Sequence, residues 1–132
     1  MVILFDRYNL PNDIYEIVFS TNQQKIVAQE LIKYMVKKKA EITKTEMSEF
    51  ATTLHDGNYE CVLTEPPYKG KKVKLSYNKR QFYDRILTPM KAMGLVDYDL
   101  YKKTYRISSR FVEDLVKIGS MWKDELKTHG IH

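Results

Sequence analysis

The stretch Ser76–Ser108, SYNKRQFYDRILTPMKAMGLVDYDLYKKTYRIS, decides how the rest of the chain is read. It opens with a helix start. Asn78 can cap the first turn, Gln81 sits three residues later to return the bond, and Tyr77 and Phe82 bracket the cap as a hydrophobic staple would. Phe82, Ile86, Met90 and Met93 then recur at spacings of four, four and three, which puts them on one face of a helix. At about 100° per residue, Arg80, Gln81, Asp84, Thr88 and Lys91 fall on the opposite, solvent side. Pro89 lies inside this run, deletes the bond to the carbonyl of Arg85 and disfavours the α region at Thr88, so a kink or short break is expected near residues 85–88. Gly94 ends the helix. Leu95–Tyr98 and Thr104–Ile107 read as two short strands around the tip Asp99-Leu100-Tyr101-Lys102-Lys103.

Upstream, Ile42–Leu54 carries the clearest start signal in the chain. Thr43 and Glu46 form a capping-box pair, Ile42 and Met47 a staple, and Met47, Phe50, Ala51 and Leu54 make the apolar face. The free N–H groups of its first turn, with the Thr43 hydroxyl beside Lys44, could hold a phosphate. Before it, a helix capped by Ser20 or Thr21 runs to about Lys39 with Val27, Leu31, Tyr34 and Met35 inward. Earlier still, Val2–Phe5 could be a short strand and Asn12–Phe19 a short helix, forming an arm that either packs on the domain or helps a dimer.

Helix, Gly-Leu-Val, strand, basic turn and strand again: this order resembles the recognition helix and wing of winged helix-turn-helix proteins, with GLVDYDLYKKTYRIS its most specific part. The resemblance covers about two thirds of the chain. It implies an α+β, mainly helical fold: a single winged-helix domain over residues 1–132 with a two-stranded wing and extensions at both ends. It also implies double-stranded DNA as the partner. Arg80 and Gln81 would read base edges, flanked by Asn78, Lys79, Tyr83 and Asp84, while Lys102, Lys103 and Arg106 of the wing would hold phosphates or the minor groove.

The chain departs from that family in one place. Three or four residues usually join the two motif helices, and here His55–Tyr77 intervenes. Tyr59, Cys61 and Leu63 alternate with polar residues, as do Val73, Leu75 and Tyr77, around a turn-rich basic segment. An inserted hairpin that points Lys72 and Lys74 outward is one account, and a loose arm is the other. Lys69, Lys71, Lys72 and Lys74 would add phosphate contacts without sequence preference.

Charge agrees with a polyanion partner. The net charge is +5, but residues 69–110 hold 12 basic and 3 acidic residues, while the flanking segments are weakly acidic. Cys61 stands alone, which excludes an intrachain disulfide and a Cys-rich metal site and suits a reducing compartment. The opening MVILF is too short for a signal peptide or a membrane span. His55-Asp56 and Glu125-Leu126-Lys127 match only fragments of hydrolase and nuclease motifs, and no phosphate loop or nucleophile elbow is present, so no enzyme, metal or cofactor is expected.

After the wing, Ser108 or Ser109 caps a final helix to about Lys127. Phe111, Leu115, Ile118 and Trp122 recur at four, three and four, with Leu126 four further on. One side can complete the core; if the helix projects, the stripe is a two-helix seam and the protein a homodimer. The expected function is sequence-specific DNA binding as a small cytoplasmic, nucleoid-associated transcriptional regulator. The alternative is a winged-helix protein-interaction or DNA-organising module in a replication, partition or transcription assembly, which exposed Tyr98, Leu100 and Tyr101 at the wing would suit.

Overall fold

The computed structural model describes residues 6–62 and 70–132. The fold is α+β and mainly helical. In chain order it runs α1 (Ile14–Val18), α2 (Asn22–Lys37), β1 (Glu41–Thr43), α3 (Lys44–His55), β2 (Tyr59–Val62) and β3 (Lys72–Leu75). There follow α4 (Lys79–Gln81), a π-helical stretch (Phe82–Leu87), α5 (Thr88–Ala92), β4 (Val96–Asp99), β5 (Thr104–Ile107) and α6 (Arg110–Thr128). The expected strand at Val2–Phe5 lies outside the described residues.

Local signals place most helix starts. Asp13 caps α1 and Thr21, rather than Ser20, caps α2 through side-chain oxygens that accept backbone N–H bonds. The box at α3 forms in both directions: Glu46 N–H donates to Thr43 Oγ1 and Thr43 N–H to Glu46 Oε1, each at 3.0 Å. At α4, Gln81 N–H donates to Asn78 Oδ1 at 3.1 Å. Helix α2 stops at Lys37, because Lys39 and Ala40 turn into the left-handed region at φ 65° and 67° and send their N–H groups back to the Val36 and Met35 carbonyls.

The apolar faces converge on one core. Val27, Leu31 and Met35 of α2 meet Met47, Phe50 and Leu54 of α3 and Phe82, Ile86, Leu87 and Met90 of the run from α4 to α5. Phe50 is the hub, its ring 5.1 Å from those of Tyr34 and Tyr59 and 5.6 Å from that of Phe82. Met93, expected inward, is 40 % exposed, and Leu87 takes the buried position instead.

That exchange follows from how Pro89 is accommodated. No break occurs at residues 85–88. The helix widens to π geometry over Phe82–Leu87, and the Thr88 N–H and hydroxyl both donate to the Tyr83 carbonyl, the hydroxyl at 2.8 Å. The wider turn advances the side chains beyond it and starts α5 afresh with Pro89 in its first turn, where a missing N–H costs nothing.

Two antiparallel sheets complete the fold. One has the order β1-β5-β4, with Thr43 opposite Thr104, Glu41 opposite Arg106 and Asp97 opposite Arg106 on the other side. The sequence reading began a helix at Ile42 and missed β1. The other sheet is β2–β3, so the described part of the insert is a hairpin, with Tyr59, Cys61, Val73 and Leu75 less exposed than Glu60, Lys72 and Lys74. The insert's ends are drawn together. Tyr77 N–H donates to the Leu54 carbonyl at 3.0 Å and Lys79 N–H to His55 Nδ1 at 3.1 Å, so α3 and α4 meet although His55–Tyr77 separates them in sequence.

Candidate nucleic-acid interface

The polar side of the run from α4 to α5 is open. Arg80, Gln81, Asp84, Thr88 and Lys91 are all exposed, as the helical phase predicts, and Arg85 is exposed with them. The Arg80 side chain is 92 % exposed and its Nε lies 3.9 Å from Asp84 Oδ2, one turn on. Such a surface pair is weak and leaves the guanidinium free to be drawn to a stronger acceptor.

Lys79 behaves differently from its neighbour. Its Nζ reaches back to α3, 3.2 Å from Ser48 Oγ and 2.9 Å from Thr52 Oγ1. Tyr83 also turns inward: its ring packs edge-on against Phe82 at 5.5 Å, burial pushes its hydroxyl pKa up, and a hydrogen bond with Ser48 works against that rise. Both therefore tie the candidate reading helix to α3. Asn78 is engaged as a cap. Beside them runs an open polar groove lined by Lys44, Thr45, Ser48, Glu49, Thr52 and Thr53. Sequence reasoning named only Lys44 among these, because short hydroxyl side chains on a helix carry no periodic signal.

At the far end of α3 the tip between β4 and β5 is ordered by Asp99, whose Oδ1 accepts N–H bonds from Tyr101 at 2.9 Å and Lys102 at 3.0 Å. Those bonds hold the Asp99 carboxyl below its ordinary pKa. Lys103 takes a left-handed conformation, φ 54°, and its carbonyl accepts the Lys44 N–H at 2.9 Å. Lys44, Lys102 and Lys103 are thus brought to one corner. At α3's first turn, where a phosphate is expected, the N–H groups of Thr43, Lys44 and Glu46 donate to Glu46, Lys103 and Thr43. The exposed side chains of Lys44, Lys102 and Lys103 are donors there as well. Arg106 is exposed on β5, 3.9 Å from Asp97 Oδ2, which Arg110 Nε approaches more closely at 3.0 Å.

The hairpin stands at the other end of α3, about 18 Å away at 1.5 Å per residue. Lys71, Lys72 and Lys74 are exposed, but Lys72 Nζ lies 2.9 Å from Glu60 Oε2, which raises the lysine pKa and lowers the carboxyl pKa. Lys69 lies outside the described residues. On the hairpin's inner side, Glu30 is buried beside Lys33 at 2.9 Å, and burial followed by the Glu30 charge pushes the Tyr59 and Cys61 pKa values up. A thiol held in its neutral form is a poor nucleophile. The histidine of the His55-Asp56 fragment serves as a cap for Lys79. Among the described residues no group of His, Cys, Asp and Glu could hold a metal ion, and no helix is long and apolar enough to cross a membrane.

The stripe on α6 divides. Phe111 is 9 % exposed against the body, whereas Leu115, Ile118 and Trp122 are 50, 58 and 65 % exposed. Comparison with protein families, curated proteins and solved structures finds no match to this chain in any of the three.

Proposed function

We propose that the chain is a winged helix-turn-helix protein that binds double-stranded DNA in a sequence-specific way, with the run from α4 to α5 in the major groove and the β4–β5 tip as the wing. One observation carries this reading. Arg80 and Gln81 stand exposed at the start of a helix whose root is bonded to the end of α3, while Lys44, Lys102 and Lys103 gather at the other end of α3. A base-reading corner and a phosphate-holding corner are thereby fixed relative to each other through one helix, which is what register on a duplex requires. The sheet order β1-β5-β4 supports the reading, because a wing that returns beside a strand placed between the first two helices of the domain gives that order. In this reading His55–Tyr77 replaces the usual turn without separating the helices it joins.

The protein would act as a small transcriptional regulator that controls by occupancy. Binding measured by fluorescence anisotropy on random duplexes across a salt series tests the first half. A phosphate binder loses affinity steeply with salt, and a slope near zero would sink the proposal. Site selection on the same protein tests whether one sequence is preferred.

Exposed Leu100 and Tyr101, 76 and 99 % exposed at the wing tip, favour a second reading in which the wing docks on another protein of a replication, partition or transcription assembly. Leu100→Ser with Tyr101→Ser separates the two: DNA affinity should survive if only Lys102 and Lys103 meet phosphate.

A further inference from the structure

We propose that α6 pairs in antiparallel fashion with α6 of a second copy of this chain, crossing it beside Gly119. Among the described residues none buries α6 beyond its first turn: all of 112–132 except Leu126 is exposed. Val112, Leu115, Val116, Ile118, Met121 and Trp122 are each 50 to 65 % exposed along it. A soluble helix with so much open apolar side chain needs a covering surface. Its charges say which kind. Residues 111–132 carry three lysines and four acids, spread over the polar side, so there is no basic face for an anionic lipid surface or a nucleic acid. A nearly neutral helix of mixed charge suits another like itself.

The stripe is also nearly its own mirror. Phe111 and Leu126 lie equally far along the chain from the point between Ile118 and Gly119, and so do Leu115 and Trp122. A two-fold axis at that point sets Phe111 level with the partner's Leu126, Leu115 with the partner's Trp122, and Ile118 with the partner's Gly119. Self-complementarity of this kind is what a two-fold interface demands. Gly119 supplies an independent sign. A helical glycine weakens a helix relative to alanine, yet a Cβ built at Gly119 would meet nothing within 4 Å. Nothing inside the monomer requires a glycine there. A partner helix crossing close on that flank of the stripe would require one.

The body fixes the direction. By helical phase Phe111 lies on the same face as Leu115, Ile118 and Trp122, and its N–H donates to the Gly94 carbonyl at 3.1 Å. The body therefore already fills the stripe side of the first turn. A parallel partner would drive its own first turn and body into that space, whereas an antiparallel one brings only the end of a helix. Met93, 40 % exposed and next to Gly94 in the chain, is an apolar contact for that end. One feature opposes the arrangement: Asp114 and the partner's Glu125 share a flank. Both are exposed, so solvent and salt screen their repulsion.

The pairing stands apart from the reading of DNA and is tested without it. Its consequence for that reading would be two Asn78 helices related by a two-fold axis and hence a palindromic site. Sedimentation equilibrium of the full chain should give dimers; a monomer at every concentration overturns the proposal. Ile118→Asp should give monomers that stay helical by circular dichroism. Gly119→Leu is sharper, since it raises helix propensity while blocking the crossing. Dimer affinity should fall at least about ten-fold with helicity kept or increased, and unchanged affinity would refute the crossing. Direction is read by disulfide trapping in a Cys61→Ser background. Leu115→Cys mixed with Trp122→Cys should give a cross-linked heterodimer, with neither variant linking to itself. Self-linked Trp122→Cys means a parallel pair and overturns the arrangement.

Discussion

Two antiparallel strand pairs with lysine-rich outer residues leave the body of this protein, and they differ in what their lysines can do. In β4–β5, Asp99 folds the tip and accepts only backbone N–H groups, so Lys102 and Lys103 are held outward and exposed. In β2–β3 the acid points outward as well. Glu60 lies opposite Lys74 in register and bonds Lys72 at 2.9 Å, one strand neutralising part of the other. The first pair is bound to a third strand and to α3 through the Lys103 carbonyl; the second is packed against the Phe50 ring through Tyr59. The lesson is that a basic turn gains an available field only where the nearest carboxylate is spent on the backbone. Lysine count alone does not separate the two.

The largest expected effect breaks the comparison at the two roots. Each pair is entered through a glycine with positive φ, Gly57 at 71° and Gly94 at 81°. A Cβ on Gly57 would come no closer than 3.7 Å to the Ser76 hydroxyl, whereas on Gly94 it would lie 2.9 Å from the Phe111 nitrogen and 3.0 Å from Arg110 Cβ. Gly57→Ala should therefore cost only the backbone strain, about 1–2 kcal/mol. Gly94→Ala adds a clash with backbone that cannot swing aside, and should cost more, roughly 3 kcal/mol or above. Urea unfolding of both variants measures this, and equal losses would mean that α6 is not seated on Gly94 as described.

A smaller effect sharpens the comparison on DNA. Arg80→Ala should lose about 1–3 kcal/mol on the preferred site and relax preference at one base pair, because a bidentate reader is removed. Lys102→Ala should weaken all sequences alike and reduce the salt slope by about one. Lys72→Ala should reduce it less, since its ammonium already has Glu60 beside it. Should Lys72→Ala match Lys102→Ala, the hairpin contributes as much field as the wing and the distinction fails.

How much of this was legible in the sequence depended on the reach of each interaction. The Thr43–Glu46 box and the Asn78 cap span three residues, so the residues that make them stand together in the chain. Helical phase likewise foretold that Arg80 and Gln81 are exposed. Strand β1 was not legible: it owes its conformation to Thr104–Arg106, which lie far along the chain. The π-helical stretch was not legible either, because the rule for a proline inside a helix takes no account of a preceding threonine that can donate twice to one carbonyl. Lys79 was expected to flank the base readers, but its Nζ is drawn to Ser48 and Thr52 on another helix. The composite root, where His55 accepts the Lys79 N–H, joins residues that lie 24 apart in the chain and so carries no local signal.

The smallest effect separates the two pairs by pH. Asp99 has its pKa lowered below the ordinary 3.8 by the N–H bonds of Lys102 and Tyr101. A lowered carboxyl pKa contributes order that is present above the unfolded value and lost as pH falls through the folded one. The wing tip should therefore loosen only on the acid side. Glu60, lowered below 4.5 by Lys72, should behave in the same way there. Lys72, however, is raised above 10.5 by Glu60, and a raised lysine contributes order present below 10.5 and lost as pH rises through the folded value. The Glu60–Lys72 pair of the hairpin should thus loosen at both extremes, and the Asp99 turn on the acid side. These three groups lie at the surface, so the changes are local and leave the core folded. Side-chain carboxyl carbon resonances of Asp99 and Glu60, followed by NMR from pH 2 to 5, should titrate below their ordinary values. The Lys72 Cε resonance should reach its midpoint above pH 10.5. A Lys72 midpoint at 10.5 or below would mean that Glu60 does not hold Lys72 in solution, and the hairpin would then present its lysines as freely as the wing does.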